Sequence, residues 1–267
     1  LSFRIKENNR LGYSSTTQLD SASIDMLLNN ALDNMSVIEN DDEQFFCKKG
    51  QRYKNICSYE QSINDMSSAD KIKLAKSMEE KALAFDKRVL RMQSCSVVTG
   101  SSSVGLRNSY GLNLSESSNF IAAILVPVVK INDTMNTSYS FAFGKSIDES
   151  EIDRMVRESV TEAIALCGAE PVASGRYNII FRNDAFCDLI ETFSDIFSAD
   201  AAQKGLSLLY GKENSVIASE CVTLIDDPLL PGGPCSSFFD AEGSACFTKE
   251  VIKDGRLRTL LHNMRTA

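Results

Sequence analysis

Apolar and polar positions alternate over the first fifteen residues. Phe3 and Ile5 are separated by polar residues, Asn8-Asn9 is placed for a tight turn, and Leu11 to Tyr13 begins a return strand. The period then changes. Ile24, Leu27, Leu28, Ala31 and Leu32 recur at helical spacing, with Thr17 or Asp20 placed as cap. From Ser36 to Asp65 periodicity fades, which predicts a long connection. A second helix is expected from Ser68 to Phe85, started by Ser67 or Ser68, with Ile72, Leu74, Ala75, Met78, Ala82 and Leu83 turned inward. Strands are predicted near 88–98, 103–107, 112–115, 119–131 and 137–143, with Asn108-Ser109-Tyr110-Gly111 as a turn. A third helix spans Asp148 to Cys167, capped by Ser146 or Asp148 and stopped by Gly168.

The pattern restarts at Gly175. Tyr177 to Phe181 reads as a strand and Asp184 to Phe197 as a helix with Phe186, Leu189, Ile190 and Phe193 inward. Ala199 to Leu209 reads as a shorter helix and Val216 to Ile225 as a strand broken by Asp226-Asp227-Pro228. Pro231-Gly232-Gly233-Pro234 is a loop. A hairpin closes the chain, Cys246–Ile252 and Leu257–Leu261, turned at Asp254-Gly255. Clustered strands among helices predict an α+β fold with antiparallel sheets.

Composition adds limits. A chain of 267 residues, 43% hydrophobic, can bury a sizeable core in one or two domains. The longest apolar run, Phe120 to Val129, contains Pro127 and is half of the ~20 residues a membrane helix needs. There is no signal-peptide pattern at the start, which lies within a strand and lacks Met. The net charge of −8 and small, acid-flanked basic clusters such as Lys48-Lys49 with Arg52 and Lys54 argue against direct nucleic-acid binding. The eight cysteines form no CxxC pair, so reduced, mostly buried thiols in a cytoplasmic protein are expected.

The chain carries few motifs of known chemistry. Neither GxxxxGK(S/T) nor GxGxxG occurs, and the Ser-rich stretch Gly100-Ser101-Ser102-Ser103 lacks a lysine and a following helix. GxSxG is also absent. The one histidine, His262, excludes a paired-histidine metal site in this chain and reads as an edge residue rather than a catalytic base. Asp226, Asp227, Asp240 and Glu242 lie near predicted strand ends. They could ligate a cation or serve a carboxylate hydrolase, but such residues are more often turn formers.

Five blocks in order carry a resemblance: Leu1-Ser2-Phe3-Arg4 to Gly12-Tyr13-Ser14-Ser15; Asn108-Ser109-Tyr110-Gly111; Gly175-Arg176-Tyr177 with Ile179-Ile180-Phe181 and the following helix; Ser207-Leu208-Leu209 through Asp226-Asp227-Pro228; and Phe239-Asp240-Ala241-Glu242-Gly243 with Val251 to Leu257. Together they resemble the TldD/PmbA proteins, a family of zinc-dependent proteases also labelled modulators of DNA gyrase. The resemblance implies an N-terminal α+β domain over 1–171, lacking its start, and the first part of a second domain over 172–267. In TldD-type members a helix of that second domain bears His-Glu-x-x-x-His, two zinc ligands one turn apart with a glutamate to activate water. The corresponding stretch here, within Asp184 to Gly205, reads DAFCDLIETFSDIFSADAAQKG and holds no histidine. The resemblance therefore points to the PmbA, or TldE, branch. It implies no catalytic, cofactor or metal residue in this chain and zinc only in a TldD-type partner, with extended peptides as substrates and peptide maturation as the process. A stand-alone homodimeric peptide-binding or regulatory protein is the alternative.

Overall fold

Asn8 and Asn9 take positive φ angles of 45° and 68°, the conformation a two-residue hairpin turn requires. They join β1 (Ser2–Glu7) to β2 (Arg10–Ser15), paired antiparallel in the register Phe3↔Ser14 and Ile5↔Gly12. The computed structural model describes residues 1–38, 43, 45–233 and 235–267. Part of the Ser36–Asp65 connection and Pro234 of the predicted loop lie outside the described residues.

α1 (Ser21–Val37) lies across this hairpin, and the Asp20 carboxylate caps it by accepting from Ser23 N–H at 2.8 Å. The helix approaches so closely that a Cβ on Gly12 would stand 1.9 Å from the Ala31 carbonyl oxygen. Its buried stripe is Ser23, Leu27, Ala31 and Met35. Ile24, Leu28 and Leu32 of the expected stripe are exposed, because the hairpin covers only one narrow face of the helix.

The second group of elements holds the main core. α2 (Gln61–Asn64) is a single turn within the long connection. α3 (Ser68–Phe85) begins with a capping box in which Ser67 and Asp70 satisfy each other's backbone N–H groups at 3.2 Å. β3 (Val89–Arg107) and β4 (Asn113–Ile131) form one long antiparallel hairpin, with β5 (Thr134–Thr137) and β6 (Ser140–Gly144) both on the far side of β4. α4 (Glu149–Leu166) follows, capped by Asp148. Alternation sends Cys95, Val97, Ala123, Leu125 and Ala142 to the helix side. There they meet Met78 and Ala82 of α3 and Ile152, Met155, Val156, Val160 and Ala163 of α4. Each fully buried aliphatic side chain contributes about 1.5–3 kcal/mol by transfer from water. On the opposite face Ile124, Phe141 and Phe143 stay exposed, and Phe120 stacks on Phe143 at 4.8 Å.

The predicted strand breaks at 99–102 and 116–118 do not occur, since pairing runs unbroken from Ser94↔Val126 to Arg107↔Asn113. Serine and threonine interrupt the apolar pattern without interrupting the ladder, because this end of the hairpin has little core to cover.

The last group is loop-rich. α5 (Asn183–Thr192), a 3-10 turn (Ser194–Phe197) and the short α6 (Ala199–Gln203) precede β7 (Leu224–Asp226), β8 (Lys249–Lys253) and β9 (Arg256–Leu257). Asp254 and Gly255 turn the last hairpin with φ of 49° and 73°. A small core joins Phe197, Ala199, Ala202, Leu209, Val251, Ile252, Leu257 and Leu260. The structure departs from the sequence pattern at several places in this group. Tyr177–Phe181 is not a strand, α6 stops well short of Leu209, and only the end of Val216–Ile225 is extended in a ladder. The helix expected over Asp184–Phe197 ends at Thr192, and Phe186, Leu189, Ile190 and Phe193, expected inward, are not buried, since nothing among the described residues covers that apolar side. Every pairing between these strands is antiparallel, in keeping with the α+β reading. No helix among the described residues is long and apolar enough to cross a membrane.

Candidate functional site

Three distant parts of the chain meet at the tip of the β3–β4 hairpin. Asn108 organises that tip: its side-chain oxygen accepts from Tyr110 N–H and Leu112 N–H, and its amide donates to the Cys47 carbonyl at 2.7 Å. The loop Phe239–Gly243 arrives from the C-terminal group. Asp240 shapes it by accepting from the N–H groups of Glu242 and Ser244 at 2.9 and 2.8 Å. Gly243, at φ 87°, lies so near Leu106 and Leu112 that a Cβ there would come within 2.6 Å of both. Its carbonyl receives the Tyr53 hydroxyl at 2.8 Å and the buried Cys47 thiol at 3.1 Å. Burial together with the neighbouring Cys47 raises the Tyr53 hydroxyl above its ordinary pKa, so it stays a protonated donor. Farther along, Ser237 donates to Glu116 of β4 at 2.6 Å, and Asn119 exchanges two bonds with Glu60.

In front of this joint runs a groove of about 500 Å³. One wall is β1, from which Ser2, Phe3, Arg4, Ile5 and Lys6 all line the cavity. Successive side chains of a strand point to opposite faces, so five consecutive lining residues place the groove along the strand's edge. The facing wall is Leu106 to Tyr110, with Phe45 and Phe46 and with Ala241 and Glu242 completing it. Leu1 and Thr16 exchange both backbone bonds at 2.8 Å. By alternation the N–H and C=O groups of Ser2 and Arg4 turn away from β2 towards the groove. The charged side chains among the described lining residues are Arg4, Lys6, Arg107 and Glu242, and one Glu242 oxygen accepts from Met264 N–H at 2.8 Å. Lys6 Nζ lies 5.9 Å from the Phe45 ring centroid, and Arg107 Nε donates to Asn113 at 2.8 Å.

The residues singled out in the sequence are scattered. Gly100 to Ser103 lie inside β3 and form no phosphate loop. His262 is exposed, with Nδ1 at 2.8 Å from the Thr266 carbonyl. Asp226 pairs with Lys249 at 2.7 Å, while Asp227 accepts from the Thr248 hydroxyl at 2.6 Å. Together with the turn made by Asp240 and the Glu242–Met264 bond, these are structural uses. Among the described residues no three His, Cys, Asp or Glu side chains are grouped to hold a metal ion. The described residues thus offer no donor set like the two histidines that hold zinc in TldD-type members. All eight cysteines are free, but Cys57, Cys187, Cys221 and Cys235 are exposed, against the expectation of mostly buried thiols. The groove itself was not found from sequence. Its one linear signal is the basic pair Arg4 and Lys6 at strand spacing.

A joint between an antiparallel sheet unit and a loop-rich C-terminal unit has close relatives. Residues 61–166 match the PmbA/TldA metallopeptidase central domain and residues 174–267 its C-terminal domain. The chain belongs to this family. A metalloprotease of Methanothermobacter thermautotrophicus is 34% identical over 122 residues, 45% of this chain and 27% of that protein. Metalloprotease PmbA of Escherichia coli O157:H7 is 21% identical over 264 residues, 96% of this chain and 58% of the relative. A solved Thermotoga maritima structure described as a modulator of a DNA gyrase shares the fold with TM-score 0.88 and 25% identity, over 99% of this chain and 60% of that one. The chain thus spans between 27% and 60% of the length of these three relatives.

Proposed function

We propose that this chain is a PmbA/TldE-like subunit of a two-component metallopeptidase of the cytoplasm, acting in proteolysis and peptide maturation. It is the non-catalytic member. It completes a peptide channel with a zinc-bearing TldD-type partner and holds extended substrate by strand addition. The observation that carries this reading is the absence of histidine from the Asp184–Gly205 segment, in a chain whose one histidine is His262. The groove along the β1 edge supports the substrate-holding part, because it offers outward-facing backbone groups beside aromatic and charged side chains. Co-expression with a His-Glu-x-x-x-His protein tests it: the two should co-purify, and peptidase activity should require both. Strong zinc-dependent cleavage by this chain alone overturns it.

A stand-alone homodimeric peptide-binding or regulatory protein is the second reading. It is favoured by the outer edge of β3, which pairs with no other strand among the described residues and carries no charge or proline from Met92 to Leu106. Monomeric proteins usually protect such edges with charges. A genome without a neighbouring His-Glu-x-x-x-His gene, and a dimer by light scattering, would favour this reading over the first.

A further inference from the structure

We draw no further inference here: the strongest candidate, the apolar patch of Val98, Phe120, Ile124, Phe141 and Phe143 on the open face of the sheet formed by β3, β4 and β6, carries nothing, because nothing in the structure shows what covers it.

Discussion

α4 and α5 are both amphipathic helices, yet they end in opposite situations. α4 buries Ile152, Met155, Val156, Val160 and Ala163 against the sheet and α3. α5 carries Phe186, Leu189 and Ile190 at similar spacing, and Phe193 just past its end, and none of them is buried. Upstream of it Ile180 is 97% exposed. The pattern that makes a helix amphipathic states that one side wants cover. It does not state what supplies the cover. In α4 the cover is the β3–β4 hairpin together with α3. In α5 nothing among the described residues plays that part, and the apolar side stands as an open surface.

The contrast can be broken directly. Leu125→Ala, in the sheet under α4, should cost about 2–5 kcal/mol, because it leaves a cavity in a packed core. Leu189→Ala in α5 should change stability by less than ~0.5 kcal/mol. Urea unfolding measures both. A comparable loss at Leu189 would mean that α5 is covered in solution. Next in size is the joint between the two units. Gly243→Ala places a methyl against Leu106 and Leu112 and strains a left-handed backbone, at a cost of about 1–3 kcal/mol. Hydrogen exchange should then speed up around Cys47 to Tyr53 more than in α4. Helix starts differ too. Ser67 caps α3, whereas the residue before α5, Arg182, makes no capping bond. Ser67→Ala should lower stability by about 1 kcal/mol, read as a drop in melting temperature.

The smallest effect concerns acid. Bonds from the Ser150 hydroxyl and the Glu151 N–H hold the Asp148 carboxyl below its ordinary 3.8. A carboxyl lowered in the folded state contributes stability that is whole above that ordinary value. The contribution disappears as pH falls through the lowered one. Asp148→Asn keeps a cap but removes the titration. The variant should melt slightly below the parent at neutral pH, and the gap should close below about pH 4. A gap that stays constant down to pH 3 would contradict this role.

The sequence was most readable where local rules and packing agree. Asp20, Ser67 and Asp148 are caps in the structure, and α3 and α4 occupy the expected ranges. Reading failed at Gly100 to Ser103, where polar residues hid a continuous ladder whose geometry asks for pairing rather than burial. It failed again at Tyr177 to Phe181, where β-favouring residues have no strand beside them. The groove was out of reach for another reason. Ser2, Phe45, Leu106 and Ala241 come from four stretches of chain, and only the folded joint brings them to one cavity. The family, by contrast, was legible, because its motifs are turn-forming blocks such as Phe239–Gly243, whose residue types are dictated locally.

One bond at the joint also provides a clock. The Cys47 thiol is sealed beneath Gly243, while Cys57, Cys187, Cys221 and Cys235 are exposed. Alkylating reagents will modify the exposed four at the rate of free thiols, whereas Cys47 can react only during moments when Gly243 lifts away. The lag of that one site, followed by mass spectrometry, counts how often the two units part, without any engineered label.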